Sequence, residues 1–269
     1  MDTPFQEIRV DRPEPRIARI TLAREARLNA YTMRMCRELV AAIEAFDRDD
    51  TARVLILTGA GRGFCSGGDV SGADPEHHEY MKLQLGHGRE MRDGMQRVVL
   101  MLTRLDKPTI AMIQGPAVAG GLALALACDF RIAGSHAKLG DTSGKFGLLP
   151  DEGGAWLFPR AMGLDRALKM TLLSELYDAA TAERLGLVTE TVAAEALEAH
   201  TLEFARALAT RAPLAVRLAK LMMRRAQVLD LEQSLGDATL SVMISNPSAD
   251  VREGVQAFFG KRPPQFEGR

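Results

Sequence analysis

The 269 residues allow one or two domains and a large apolar core. Lys and Arg number 34 against 35 Asp and Glu, so the net charge of -1 excludes the basic footprint that nucleic acid or an anionic membrane surface requires. Hydrophobic residues at 46% and charged residues at 26% exclude disorder, a collagen-like fibre and a low-complexity array. Cys36, Cys65 and Cys128 are too few and too widely spaced for a disulfide framework or a paired zinc-ligand set, which fits a reducing compartment. The segment from Met1 to Val10 is polar and lacks the apolar core of a secretory leader. The longest apolar run, 117–127, is about half of what a membrane span needs. A cytoplasmic protein is expected, with no membrane or nucleic-acid partner and no metal.

Residues 6–22 alternate apolar and polar around Pro13 and Pro15, which predicts a β-hairpin. Thr32 is a good N-cap for an amphipathic helix carrying Met35, Leu39, Val40, Ile43 and Phe46, and a strand at 54–57 follows. After a glycine-rich stretch at 59–72, residues 76–104 read as helical towards their far end. Strands at 109–113 and 129–133 flank the segment 120–127, which is apolar except for its glycines. Beyond residue 153 the pattern predicts helices at 155–173, 181–185, 193–210, 213–228, 231–245 and 248–259, with β-structure only near 187–191. The expected class is therefore α/β, with a core over 1–195 and a helical region over 196–269. Strand, glycine loop and helix occur twice, yet the self-similarity is too weak to define a repeat.

Two glycine-rich loops follow buried strands: Gly63-Phe64-Cys65-Ser66-Gly67-Gly68-Asp69 and Gly115-Pro116-Ala117-Val118-Ala119-Gly120-Gly121. Either loop is a tight turn, or a place where backbone amides at a helix start meet a developing oxyanion. The second loop ends in Leu122-Ala123, where a phosphate loop needs Lys and Ser or Thr. The run 59–64 lacks the last glycine of a dinucleotide fingerprint. Cys65 occupies the nucleophile position of a strand–turn–helix elbow, but Phe64 precedes it and no Asp-then-His order is evident downstream except His136 or His200, so it reads as a small buried residue.

These loops, together with Arg27-Leu28-Asn29-Ala30, Cys128-Asp129-Phe130-Arg131-Ile132-Ala133, the segment 147–154 and the tail 258–263, resemble the crotonase, or enoyl-CoA hydratase/isomerase, superfamily over nearly the whole chain. The resemblance implies a spiral of strand–strand–helix (ββα) turns and a C-terminal α-helical trimerisation region, hence a homotrimer or a dimer of trimers. It also implies an acyl-CoA thioester substrate, with coenzyme A present as part of that substrate and no separate cofactor. The thioester carbonyl would sit between the amides of Gly68 and Gly120. Residues 24–28 (Arg24, Ala26, Arg27 and Leu28 among them) and 65–69 (Cys65, Ser66, Gly67, Gly68 and Asp69) would line the CoA path, and Lys261 would reach the adenine end. The physical logic agrees, because deprotonation beside a thioester leaves an enolate oxygen that must be met by preorganised donors.

Hydratases of this family carry two glutamates at positions held here by Ala123 and Ser143. Alanine carries no proton, and Ser143 can orient a water or substrate but is too weak a base near neutral pH. The replacement is Asp151, with Glu152 beside it. In dienoyl-CoA isomerases and the ring-opening isomerase of phenylacetate degradation, a carboxylate in the matching Pro-Asp-x-Gly-Gly segment is the base. The same Asp is also a good N-cap for the following helix. As a base it would need an apolar pocket, for which Phe146, Leu148, Leu149 and Trp156 are candidates, with Trp156 assigned rather to the core. One carboxylate suffices to shift a double bond, so an enoyl-CoA isomerase is expected ahead of a hydratase or hydrolase using Asp151 or Glu152 with water, or of a non-catalytic acyl-CoA binder. His77, His78 and His87 read as solvated loop residues on a segment that the resemblance places over the acyl group. Asp129 and Arg131 read as a structural ion pair. Lys220, Arg224 and Arg225 read as a solvated or trimer-facing helix surface.

Overall fold

The computed structural model describes residues 5–269. The first four residues of the polar N-terminus, part of the stretch judged to carry no leader, lie outside the described residues. β1 (Ile8–Glu14) and β2 (Ile17–Leu22) form the expected antiparallel hairpin. The chain continues through α1 (Met33–Arg48), β3 (Val54–Gly59), α2 (Pro75–Met81), α3 (Gly86–Asp93), α4 (Met95–Arg104), β4 (Thr109–Ile113) and β5 (Ala117–Val118). Next come α5 (Gly120–Ala127), β6 (Phe130–Gly134), β7 (Lys138–Gly140), α6 (Gly154–Met162), α7 (Leu164–Leu173), β8 (Leu176–Asp178), α8 (Ala179–Arg184) and β9 (Glu190–Val192). Four helices close the chain: α9 (Leu197–Ala209), α10 (Pro213–Arg225), α11 (Leu231–Ser245) and α12 (Ala249–Phe259).

The larger sheet has six strands in the order β1-β2-β3-β4-β6-β9, parallel after the first pair, and the smaller runs β5-β7-β8. A large-sheet strand, a small-sheet strand and a helix follow one another as β4-β5-α5 and β6-β7-α6, which is the expected strand–strand–helix turn. Side chains alternate across the parallel strands, so each strand feeds two cores. Leu55, Leu57, Ala111 and Ile113 pack with α1, α4 and α5 on one face. Val54, Ile56, Ile110 and Ile132 pack with Leu197 and Ala205 of α9 on the other. α9, grouped by sequence with the C-terminal helices, thus covers the sheet. Thr32 caps α1 as expected, accepting from the Met35 amide at 3.1 Å.

The helix expected over 155–173 is two helices. Gly163 stands between them at φ +86 and ψ 153, a conformation open to glycine that no helix can pass through. The expected 76–104 segment resolves into α2, α3 and α4, and α10 stops at Arg225, short of residue 228. β5, β7 and β8 have two or three residues each, too few to show a period in sequence.

Asp129 joins the C-terminal helices to the core. Its carboxylate accepts from the Thr109 amide at 2.8 Å, and it pairs with Lys220 at 2.6 Å and Arg224 at 2.7 Å. Lys220 and Arg224 therefore form a partly buried staple onto the core and not the solvated surface, one of the two expectations for that face. Arg131 is not the partner of Asp129; its guanidinium donates to the carbonyls of Leu187, Cys128 and Asp129. Arg225 lies outside this staple and pairs with Asp237. α10 and α11 bury no residue completely and leave Met223, Leu235, Leu240 and Met243 exposed, while α12 exposes Phe258 and Phe259. Among the described residues, no helix is long and apolar enough to cross a membrane.

Breaking a largely sheltered ion pair strands the surviving charge of Lys220, so Asp129→Ala should cost about 3 kcal/mol of unfolding free energy. Differential scanning calorimetry should show the midpoint lowered by roughly 6–10 °C.

Candidate active site

The site is assembled from four backbone segments. Asn29 is fully buried at φ +55; its amide nitrogen donates to the carbonyls of Ala60 at 2.9 Å and Gly63 at 2.8 Å, and its oxygen accepts from the Arg24 amide. This holds residues 24–31 beside the first glycine loop. The pairing continues as Ser66 N to Leu28 O, Tyr31 N to Gly67 O and Asp69 N to Tyr31 O, a pattern that skips the Gly68 amide. The second loop is stitched to the first by Cys65 N to Pro116 O at 3.1 Å and Val118 N to Cys65 O at 3.0 Å. Side chains have no room there: a Cβ on Gly115 would stand 1.9 Å from the Arg62 carbonyl oxygen, and one on Gly121 would stand 2.1 Å from that of Cys65. Ala119 enters α5 at φ +50 and ψ -124, a strained conformation for a residue with a Cβ, costing about 1–3 kcal/mol.

The loops that carry the two amides singled out from the sequence meet, and Gly68 lines the site's cavity while the buried Gly120 does not. A Cβ on Gly67 would lie 3.6 Å from the Gly120 nitrogen, so the loops touch where Gly68 and Gly120 sit. Neither the Gly68 nor the Gly120 amide donates to another described residue. Two side chains border the Cα atoms of these glycines. The Gly120 Cα borders Glu152, whose Oε1 would be 2.3 Å from a Cβ there, and the Gly68 Cα borders the Tyr31 hydroxyl, 3.3 Å from its own imagined Cβ.

Glu152 is 7% exposed, and the Tyr31 hydroxyl donates to its Oε1 at 2.7 Å. Burial raises its pKa from the ordinary 4.5 to about 7; the hydrogen bond from Tyr31 opposes the rise, and Asp151 and Asp141 add to it. Asp151 is exposed, so the burial expected for it falls on its neighbour. Asp151 does not cap a helix either, since α6 begins at Gly154 with Gly153 at φ +120 before it and no side-chain cap. The Asp151 carbonyl accepts from Gln96 at 2.8 Å.

Both carboxylates line one cavity of about 600 Å³. Arg27, Ser66, Gly68, Asp69 and Ser143 share its wall, and Met33, Met91, Met95, Phe146, Leu148 and Leu149 supply apolar surface. Trp156, expected in the core, is instead half exposed beneath the Arg160 guanidinium and lies outside the lining. Ser143 donates its hydroxyl and amide to the fully buried Asp141, while Ala123 is enclosed in α5.

Several residues assigned to the CoA path stand behind the wall. Arg24 spends its guanidinium on Asp69 at 2.7 Å, on Glu7 and on the Ala30 carbonyl. Burial acts to raise the Asp69 carboxyl, but hydrogen bonds from Ser71 and Arg24 hold it down at about 2. Leu28 packs against Gly63, Ala26 is exposed on a 3-10 turn, and Gly67 occupies φ +95 in the loop. Cys65 is fully buried with its thiol raised by desolvation to about 12, which removes it as a nucleophile. Lys261 lies in the exposed segment after α12, outside the cavity lining. His77 and His87 line the cavity, whereas His78 turns to the Gly72 carbonyl. Tyr31 escaped sequence reading because nothing local distinguishes it; its partner lies 121 residues away. Among the described residues, no group of three or more His, Cys, Asp or Glu side chains is arranged to hold a metal ion.

The enoyl-CoA hydratase/isomerase family profile matches residues 13–269, and the chain belongs to that family, part of the crotonase superfamily. It is 36% identical over 262 residues to the 1,2-epoxyphenylacetyl-CoA isomerase of Escherichia coli, covering 95% of this chain and 97% of that protein. It is 31% identical to the 2,3-dehydroadipyl-CoA hydratase of the same organism, covering 98% and 100%. The crystal structure of an enoyl-CoA hydratase from Bacillus anthracis superposes with a TM-score of 0.90 at 33% identity, over 98% of this chain and 100% of that one.

A carboxyl that holds its proton more tightly folded than unfolded makes the fold less stable as pH rises from 4.5 through about 7. Above that range the penalty is roughly 3 kcal/mol. Glu152→Gln keeps an acceptor for Tyr31 and removes the charge. Its thermal midpoint should exceed that of the unsubstituted protein at pH 8 and match it near pH 4; equal midpoints at both would refute the raised pKa.

Proposed function

We propose that this member of the family is an enoyl-CoA isomerase that shifts a 3-enoyl thioester to the 2-enoyl form, with Glu152 as proton carrier in place of the Asp151 favoured from sequence alone. The observation that carries this reading is a buried carboxylate of pKa about 7 lying against Gly120, one of two glycines whose amides are unspent. A base matched to neutral pH transfers protons most effectively. Glu152 takes a proton from C2 of the thioester, and the electron pair moves onto the carbonyl oxygen as an enolate. The amides of Gly68 and Gly120 meet that oxygen, each donor being worth about 3–4 kcal/mol to the transition state. The protonated Glu152 returns the proton to C4, and the double bond comes to rest between C2 and C3.

Tyr31 is a positioning residue here. By engaging Oε1 it turns the other carboxylate oxygen to the substrate, and it favours the ionised form that accepts the proton. Ala123 and Ser143 stand where hydratases of the family carry glutamates, which supports proton transfer without activated water. The apolar residues left exposed on α10, α11 and α12 support the homotrimer, or pair of stacked trimers, that family membership implies. Sedimentation equilibrium should give three or six chain masses, and a monomer would refute that assembly.

Product analysis by mass spectrometry on 2-enoyl-, 3-enoyl- and aryl-acyl-CoA thioesters tests the reaction. A product of unchanged mass and new retention is expected. A product heavier by one water would move the protein to hydration, free CoA with the carboxylic acid would move it to hydrolysis, and no conversion of any thioester would leave binding alone. Glu152→Gln should lower kcat by roughly 10²–10⁴-fold. Asp151→Asn should lower it less; the opposite order would return the role to Asp151. The kcat/KM profile should rise with pH to an inflection near 7, where Glu152 ionises. Tyr31→Phe should move that inflection upward, a displacement that a purely structural tyrosine would not cause.

A further inference from the structure

The wall of the cavity built by α2 and α3 carries a pair of groups that proton transfer at the thioester does not use. His77 on α2 places Nδ1 3.0 Å from both carboxylate oxygens of Glu90 on α3, and the His87 ring stands 5.9 Å from the His77 ring. All three residues line the same cavity as Glu152. The pair is partly sheltered, with side-chain exposures of 34% for His77 and 19% for Glu90. We infer that His77, oriented by Glu90, forms a distal subsite that selects an acyl chain bearing a hydroxyl group remote from the thioester.

The chemistry follows from the tautomer. A carboxylate on Nδ1 keeps a proton on that nitrogen in both the neutral and the charged ring, so the atom left for a ligand is Nε2. Neutral imidazole offers a lone pair at Nε2, and imidazolium offers an N–H. A hydroxyl satisfies either, since it both donates and accepts. A plain alkyl end would bury the imidazole edge without a partner, which costs binding. A carboxylate end would meet Glu90, Asp74 and Asp69 on the same wall. Arg24 neutralises Asp69, Asp74 accepts the amides of Met33 and Glu76, and Glu90 is shared with His77, so no positive charge is left over for a second anion. The one Arg of the lining, Arg27, belongs to the segment beside Ser66.

This inference rests on the cavity being the acyl site of the proposed isomerase, and it is tested without turnover. Isothermal titration calorimetry is run with matched saturated acyl-CoA thioesters ending in a methyl, a hydroxyl or a carboxyl group, the hydroxyl being moved stepwise along the chain. One hydroxyl position should bind roughly tenfold more tightly than the alkyl thioester, the range of one hydrogen bond, and the carboxylated thioester should bind most weakly. His77→Phe should erase the ratio between hydroxylated and alkyl thioesters, and Glu90→Gln should reduce it by disordering the imidazole. Circular dichroism melts of both variants separate loss of the subsite from loss of the fold. Equal affinity for hydroxyl and alkyl ends, or a preference that survives in His77→Phe, would overturn the subsite while leaving the isomerase standing. Isomerase failure would appear instead as binding without product, and no binding of any thioester would overturn both.

Discussion

Two polypeptide backbones approach here more closely than side chains permit, and the site depends on that approach. Gly115 and Gly121 lie where a Cβ would stand 1.9 and 2.1 Å from carbonyl oxygens of the other loop. Only bare backbone lets Cys65, Pro116 and Val118 pair across the gap at hydrogen-bond distance. That pairing brings the turn at Gly67 against Gly120, at the start of an eight-residue helix buried along its whole length. A helix start aims unpaired N–H groups outward, and burial behind it removes the water that would compete for them. The strained Ala119 is the cost of turning the chain sharply enough to do this.

The site draws on stability that other parts of the structure supply. Glu152 is held where its charge is unwelcome, and Asp141 beside Ser143 keeps one carboxylate oxygen without a partner among the described residues. Against these stand Asn29, which satisfies three backbone groups of two loops, and Lys107, whose ammonium donates to the carbonyls of Phe46, Asp47 and Asp49 at the end of α1. The Asp129 staple does the same for the helical C-terminus. Asn29 and Lys107 are buried and the Asp129 group is partly buried, each with its partners present, which is the arrangement in which burial of polarity is tolerated. Of these only Asn29 adjoins the cavity wall, through Ala30, so most of the anchoring lies away from the buried Glu152 carboxylate.

Much of this was readable in the chain. The hairpin, α1 with its Thr32 cap, the strands at 54–57 and 109–113 and the two glycine loops all carry local signals, because period and turn chemistry are written in adjacent residues. The breaks were less visible. Gly163 splits a helix whose apolar spacing runs through it, and two-residue β5 has no period to detect. Lys220 and Arg224 look like surface charges on an amphipathic helix until Asp129, some ninety positions earlier, is seen to receive them.

The sequence by itself determined the family, the paired glycine loops, the loss of both hydratase glutamates and the presence of two adjacent carboxylates at 151 and 152. Which of the two is buried was decided only by the tertiary structure. The chain turns through Gly153 before α6 begins, leaving Asp151 towards solvent and Glu152 against Gly120 and Tyr31. Burial is a property of what the rest of the chain brings to a residue, and the groups that raise or restrain the Glu152 proton come from segments remote in sequence. No local pattern in the run from Pro150 to Gly154 distinguishes the two carboxylates, because their difference is one of surroundings rather than of residue type.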